Sequence, residues 1–160
     1  MNILDFDQIH PGKSVGTKPQ SLYSWLMEKR GKDNPYQLNT PPGTSSYQMY
    51  FDMKDSVEVI VCVVGSTTLY YDARCIQDTV AMLAARGDWM DLGGADEQKE
   101  AKPDTLEAWA RSENNPLEGW YGLKKGLRGR FGVYVPPLLE ELGLVELTHE
   151  PKNNRIRIKQ

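Results

Sequence analysis

The stretch "GRFGVYVPPLLEELGLVELTHEPKNNRIRIK", residues 129–159, contains the signals that decide the fold of the C-terminal third. Two adjacent prolines, which suit the entry of a helix, precede a run of leucines that ends at Gly143. The segments LVELTHE and NRIRIK then alternate apolar and polar residues on either side of PKNN. The stretch therefore predicts a short helix with Leu138, Leu139 and Leu142 as its buried face, followed by a two-stranded hairpin with a basic tip.

Two further helices are predicted just before this stretch. Asp104 and Glu107 have the spacing of a capping box, and Leu106, Trp109 and Ala110 form an apolar stripe behind it. The segment LEGWYGLKKGLRGRFG predicts a second helix, interrupted by glycines. The C-terminal part is therefore expected to contain helices followed by one hairpin.

The first two thirds of the chain show a change from helical to strand periodicity. SLYSWLMEKRG has the spacing of a short amphipathic helix, whereas SYQMYF, VEVIVCVV and TTLYY are typical of strands separated by turns. Three antiparallel strands in a meander are the simplest arrangement of these segments. The central run is apolar at every position, and we predict that Val59, Val61 and Val63 face the core.

A helix is predicted directly after the third strand, in ARCIQDTVAMLAARG. Asp72 is placed to cap it, Gly87 to end it, and Cys75, Ile76, Val80 and Leu83 fall on one face. That face is expected to share a core with the valines of the central strand, because the two apolar surfaces need each other to leave water.

The predicted fold class is α+β, a three-stranded antiparallel meander with covering helices plus a winged-helix-like C-terminal part. The domain division is predicted as residues 1–94, a linker loop over 95–102, and residues 103–160. The linker is assigned to the acidic segment ADEQKEAK because it lacks any apolar period. A chain of 160 residues is long enough for a core without metal ions or disulfides.

Cysteine usage and the N-terminus predict a cytoplasmic protein. Cys62 and Cys75 lack the spacing of a metal site and are expected to be buried free thiols. The segment MNILDFDQIH has acids where a signal peptide has bases, and no apolar run reaches the length of a membrane span. We therefore expect no association with a membrane, while the oligomeric state is left open.

The order of helix, helix, short helix leading into ELGLVEL, and basic-tipped hairpin resembles the winged-helix module of bacterial transcription regulators. The resemblance covers residues 104–159 and depends on the layout LLEELGLVEL…NRIRIK rather than on an invariant motif. It implies that residues 136–142 form a helix that enters the major groove. It also implies that residues 152–155 form the tip of a wing, which contacts phosphates or the minor groove.

The sequence departs from the winged-helix pattern in the predicted reading helix. This helix exposes Glu140 and Glu141, whereas groove-reading helices present Arg, Lys, Asn, Gln or Ser toward base edges. Two carboxylates beside phosphates would oppose binding. Because many winged-helix folds dock proteins or dimerise, the resemblance implies the shape more strongly than it implies DNA binding.

Basic residues are concentrated in the C-terminal part, although the whole chain has a net charge of -3. Residues 116–160 carry eight bases and five acids, a balance of +3, so the preceding residues carry -6. Glycines between the bases would let the backbone approach a phosphate. The candidate nucleic-acid-binding residues are Lys124, Lys125, Arg128, Arg130, Lys152, Asn153, Asn154, Arg155 and Arg157.

Three classes of function are compatible with these observations. The leading prediction is a binding protein that contacts double-stranded DNA through the C-terminal basic face, as a regulator or an accessory of a DNA-processing system. The alternative is a protein-interaction adaptor that docks a partner through its acidic first two thirds or its leucine helix. A metal-dependent nuclease ranks third, since the triplets EQK and EPK (residues 97–99 and 150–152) fall in a loop and a turn.

The sequence gives no catalytic, metal or cofactor signature. His10 and His149 stand alone, with no Cys, Asp or Glu at ligand spacing, and both are expected on the surface. No G-x-S-x-G elbow presents a nucleophile. We therefore predict no catalytic residue, no metal ligand and no cofactor, and favour a protein that is not an enzyme.

Overall fold

Two antiparallel sheets and a set of short helices make up the protein in this computed structural model, which describes residues 22–122 and 130–160. The helices are α1 (Leu22–Lys29), α2 (Cys75–Arg86), α3 (Leu106–Arg111) and α4 (Phe131–Glu141). The strands are β1 (Tyr36–Asn39), β2 (Ser46–Lys54), β3 (Val57–Val64), β4 (Thr67–Asp72), β5 (Met90–Asp91), β6 (Val145–Leu147) and β7 (Arg155–Ile158). The predicted α+β class is confirmed.

The larger sheet has four strands in the order β1-β2-β3-β4, all antiparallel. The meander of β2, β3 and β4 agrees with the prediction, whereas β1 was missed. Its sequence YQLN lies between proline- and glycine-rich segments that indicate a loop. Strand β1 forms because Tyr36 and Leu38 alternate into the core and a turn over residues 40–45 folds the chain back onto β2.

The core face of the central strand differs from the prediction. Ile60 and Cys62 belong to the core, together with Ile76 and Leu83 of α2, so the placement of the odd-numbered valines in that core is wrong. Val61 is buried on the opposite face, where the strand register places it between Tyr50 and Tyr70. Because VEVIVCVV is apolar at nearly every position, its alternation does not distinguish one face from the other.

Helix α2 ends as predicted, with Gly87 in the left-handed conformation and its N–H bonded to the Leu83 carbonyl. Its start differs by two residues. The N-cap is Arg74. Asp72, two residues earlier, accepts a hydrogen bond from the Arg74 N–H at 3.0 Å. Cys75 and Cys62 are both free and buried, as the sequence predicts.

The cap of α3 is Thr105 and not the predicted Asp104. The Thr105 hydroxyl accepts a hydrogen bond from the Ala108 N–H at 3.2 Å, which satisfies a free donor of the first turn. Asp104 has a positive φ and instead pairs with Arg86. Glu107, the other half of the predicted capping box, is buried and bonded elsewhere.

Helix α4 begins at Phe131, five residues before Pro136, so the prediction that the prolines mark its start is wrong. Each of the two prolines inside the helix removes a backbone donor, which ordinarily costs about 3 kcal/mol. The helix tolerates them because it is packed against the rest of the protein, with the Tyr47 hydroxyl bonded to the Tyr134 carbonyl at 2.7 Å. Residues 117–122, predicted as part of the preceding helix, are not helical, and they end in an isolated bridge between Gly122 and Tyr71. Residues 123–129 lie outside the described part.

The smaller sheet has the order β5-β7-β6, and its β6–β7 hairpin is the one predicted from the sequence. Strand β5 lies before the predicted linker in sequence yet pairs with β7, and α2 packs against β7. The division into domains stays a prediction. Within the described residues, no helix has the length and apolar character needed to cross a membrane.

Candidate functional site

A cleft of about 740 Å³ lies where the two sheets meet α4. Most of its described lining comes from five segments: the β1–β2 turn (residues 40–45), the glycine loop (92–95), residues 99–105, the first turn of α4, and the hairpin loop (148–154) between β6 and β7. This volume is in the usual range of ligand-binding sites. The cleft therefore brings together segments that are far apart in the sequence.

The rim of the cleft carries more positive than negative charge. Its lining includes four cations, Lys99, Lys102, Arg130 and Lys152, against two carboxylates, those of Asp91 and Glu100. All four cations are exposed, and Arg130 forms an ion pair with Asp96. Among the residues that the structure describes, the three lysines have no carboxylate partner. They are thus available to an anionic ligand.

Close backbone contacts hold the glycine loop against the first turn of α4. A Cβ atom at Gly94 would lie 2.5 Å from Val133 Cγ2, and one at Gly132 would lie 2.6 Å from the Leu92 carbonyl oxygen. A Cβ at Gly93 would overlap with the Thr105 side chain, and the φ of Gly93 is +60°. Only glycine fits these positions, so the wall of the cleft is a closely packed surface.

A buried carboxylate joins the glycine loop, α3 and α4. Glu107 Oε1 accepts hydrogen bonds from the Gly132 N–H at 2.9 Å and the Ala95 N–H at 3.4 Å, and Oε2 accepts from Arg111 Nε at 3.0 Å. Burial raises the pKa of Glu107, while the Gly132 N–H and the Arg111 guanidinium oppose that rise. The carboxylate satisfies a free donor at the N-terminus of α4, so it fixes where this helix begins.

Arg111 holds the segment that the sequence analysis assigns to a linker. Its guanidinium donates to the carbonyls of Ala95, Asp96 and Lys99 at 2.7, 2.9 and 2.7 Å. The same group lies 4.5 Å from the centre of the Trp120 ring. These bonds determine the position of Lys99 on the rim of the cleft.

Asn154, a candidate DNA contact, has a structural role in the hairpin loop. Its Oδ1 accepts from the Glu150 N–H at 2.6 Å and from the Thr148 hydroxyl at 2.9 Å, and its Nδ2 donates to the Glu150 carbonyl at 2.9 Å. The side chain is buried and its bonding capacity is largely used. Asn153 is exposed, has a positive φ, and lies with Lys152 at the tip of the loop.

Arg155 and Arg157 lie outside the lining of the cleft, on a separate surface around Trp89. Their guanidinium carbons are 5.5 and 4.5 Å from the centre of the indole ring. Arg157 also pairs with Glu146, with Nε and Oε1 3.0 Å apart. The charge of Arg157 is therefore already partly compensated, whereas Arg155 is exposed.

Among the described residues, the predicted basic face is divided between the cleft and the surface around Trp89. Arg130 and Lys152, which are 22 positions apart, lie on the same cleft. Lys124, Lys125 and Arg128 are outside the described residues. Lys99 and Lys102 are not among the residues predicted from the sequence. The GG pair and the two lysines of the segment GGADEQKEAK are typical of a loop that faces phosphates.

Residues 136–142, which the winged-helix resemblance assigns to the major groove, are mostly buried. Between residues 136 and 142 only Glu141 is exposed, and Glu140 is half-buried. Leu138, Leu139 and Leu142 are buried, as predicted for one face of this helix. The leucines of the adaptor alternative are therefore buried in this structure, and the docking of a partner protein stays a prediction.

A protein-family model matches residues 28–159, which include every wall of the cleft. No curated protein matches the chain. No solved structure matches it either. The chain belongs to the family that this model describes, the family of unknown function DUF6855.

Proposed function

We propose that this protein is a binding protein that contacts the phosphate backbone of double-stranded DNA through the rim of the cleft and the hairpin loop. The observation that carries the proposal is the convergence of three exposed lysines, Lys99, Lys102 and Lys152, on one cleft in a chain whose net charge is -3. Arg130 lies on the same cleft, with its charge partly compensated by Asp96. Positive charge collected at one place in an acidic protein attracts polyanions to that place.

The order of elements in the C-terminal part supports a winged-helix-like arrangement. Helix α2, strand β5, helices α3 and α4, and the hairpin β6–β7 follow one another, and β5 completes a small sheet of order β5-β7-β6. In such a module the hairpin is the wing, which contacts phosphates or the minor groove. Lys152 and Asn153 at the exposed tip of the hairpin loop are in the position of such contacts.

The proposed mode of binding differs from that of a groove-reading regulator. A reading helix needs exposed polar side chains along one face, and α4 offers two carboxylates, Glu140 and Glu141. Contacts from lysines to phosphates position a protein on DNA but carry little sequence information. We therefore expect binding to be largely independent of sequence and strongly dependent on salt.

The proposal is tested by fluorescence anisotropy with a short labelled duplex, between about 50 and about 200 mM salt. Each phosphate contact that is lost lowers the slope of log K against log salt by about 0.9. We expect this decrease for Lys152→Glu and twice as large a decrease for Lys102→Glu combined with Lys152→Glu. Random duplexes of different sequence should all be affected alike.

The matched control is Lys32→Glu, because Lys32 is also an exposed lysine in a turn but does not line the cleft. It makes the same change in net charge and should leave the slope within experimental error of the wild type. The proposal is wrong if the wild type does not bind the duplex at the low-salt end. It is also wrong if Lys32→Glu weakens binding as much as Lys152→Glu does.

A further inference from the structure

His149 bridges two walls of the cleft at the base of the hairpin loop. Its Nδ1 lies 2.8 Å from the carbonyl oxygen of Pro41 in the β1–β2 turn, and its Nε2 lies 2.7 Å from Oε2 of Glu140 at the end of α4. Pro41 and the residues that follow His149, 151–154, line the cleft. The imidazole therefore connects the turn, the hairpin loop and α4.

Both partners of the ring are hydrogen-bond acceptors, and this decides its protonation state. A backbone carbonyl only accepts, and so does an ionised carboxylate. A neutral imidazole has one N–H and one lone pair, so it can satisfy only one of these oxygens and would direct its lone pair at the other. The imidazolium donates to both, so the two short distances fit the protonated ring.

The charges around the ring agree with this assignment. Glu140 is the charged group on α4 that bonds to it, and the β1–β2 turn presents the Pro41 carbonyl and has no titratable side chain. On the hairpin loop itself the neighbouring ionisable residues are Glu150 and Lys152, both exposed. The hydrogen bond to Glu140 raises the pKa of His149, desolvation opposes that rise, and the Pro41 carbonyl adds to it.

We infer that protonated His149 is a pin that holds the hairpin loop to the β1–β2 turn and thereby sets the width of the cleft according to pH. When the ring loses its proton, one of its two hydrogen bonds must be lost. The hairpin loop, with Lys152 at its tip, is then free to move away from the turn. The consequence for DNA affinity rests on the proposed function of the cleft, whereas the pin itself does not.

The raised pKa of His149 determines whether the contact between loop and turn is lost at low or at high pH. Because the pKa of His149 is raised in the folded protein, the pin is complete below the ordinary histidine pKa of about 6.5. It is lost as the pH rises through the folded-state pKa. Affinity for phosphates should accordingly be higher in mildly acidic solution, by about fivefold if one ordinary hydrogen bond is lost.

The pin is tested by NMR without any ligand, on the full chain with a nitroxide attached at Asn153→Cys. Cys62 and Cys75 are fully buried, so the label goes to the introduced thiol. Paramagnetic relaxation at the amides of Gly43 and Thr44 reports the distance between loop and turn, while the ring ¹⁵N shifts of His149 report its protonation. We expect relaxation to weaken as the pH rises, with the midpoint at which the ring titrates.

Three variants make this measurement specific. His149→Gln should abolish the pH dependence, and Glu140→Gln should lower the ring midpoint because it removes the carboxylate that stabilises the imidazolium. Glu141→Gln, on the same helix but without a bond to the ring, is the matched control and should leave the midpoint unchanged. The inference is overturned if relaxation does not follow the ring titration, or if His149→Gln retains the wild-type pH dependence.

A duplex-binding arm separates this inference from the proposed function. The wild type should bind DNA about fivefold more weakly at high pH than at low pH, and His149→Gln should show no such difference. If no duplex binds at either pH while paramagnetic relaxation changes with the titration of the His149 ring, the pin is established and the DNA proposal fails. If DNA binds but the loop-to-turn distance is independent of pH, the pin is wrong and the DNA proposal stands.

Discussion

The four-stranded sheet and the region around the cleft are held together by different kinds of contact. In the sheet, apolar side chains on neighbouring strands meet in register, as Met49, Cys62 and Leu69 do across three strands. Around the cleft, single polar bonds connect segments that are distant in sequence, such as Glu107 to Gly132. Stability in the sheet is therefore distributed over many side chains, whereas the shape of the cleft depends on a few groups.

The largest effect is expected when the buried carboxylate is removed. Glu107→Ala leaves the Arg111 guanidinium buried without its carboxylate and the Gly132 N–H without an acceptor. Breaking one side of a buried ion pair costs about 4 kcal/mol. Urea unfolding followed by tryptophan fluorescence measures the change in the free energy of unfolding.

Glu113→Ala is the control for this change, because Glu113 is exposed in the turn after α3. Its free energy of unfolding should stay within about 0.5 kcal/mol of the wild type. A Glu107→Ala variant that is as stable as Glu113→Ala would show that the carboxylate does not hold the cleft together.

The next largest losses of unfolding free energy are expected in the sheet, where truncations on the two faces of β3 should differ. Ile60 is in the core and Val61 is buried on the opposite face. Ile60→Ala should cost about 3 kcal/mol because it leaves a cavity. Val61→Ala should cost about 1.5 kcal/mol, which corresponds to the apolar surface that it removes. Equal losses in chemical denaturation, although Val61→Ala removes one carbon fewer, would contradict the weaker packing expected on the opposite face.

Sequence patterns predicted the elements whose signals are local. Helix α2 and its stop at Gly87, the strands β2 to β4, and the β6–β7 hairpin all follow from residues within the element or next to it. Helix α4 could not be placed in this way. Its start at Phe131 is fixed by Glu107 and by the bond from the Arg130 N–H to the Ala95 carbonyl, which lie far away in sequence.

Contacts between distant residues also determine which side chains reach the candidate site. Charge in the C-terminal part indicated Arg130 and Lys152, which do reach the cleft. Lys99 and Lys102 were missed because their segment has the composition of a linker and is ordered only by Arg111. Asn154 stays a predicted DNA contact from its place in a basic turn, and its amide also closes that turn.

An intermediate effect is expected at the cap of α3. Thr105→Ala removes the acceptor of the Ala108 N–H and the donor to the Lys102 carbonyl. The loss of an N-cap costs about 1 kcal/mol. Thr105→Ser keeps both bonds and is the matched control. Thermal unfolding of the pair should show a lower midpoint for alanine, and identical midpoints would contradict the role of the cap.

The smallest effect is expected for the ion pair on the surface of the hairpin. Arg157 and Glu146 are both partly exposed, so solvent screens their attraction. Glu146→Gln should change the free energy of unfolding by less than about 0.5 kcal/mol. A loss comparable to that of Glu107→Ala, measured in the same urea experiment, would mean that surface and buried pairs contribute equally here.

We propose that phosphates are held at the cleft and the hairpin loop while α4 stays out of the groove. NMR shift mapping tests it most directly, by adding a short duplex to ¹⁵N-labelled protein at low salt. We expect the largest amide shifts at Lys99, Lys102, Arg130 and Lys152, with little change at Glu141. Shifts concentrated at Glu141 and its neighbours on α4, or no shifts at all, would contradict it.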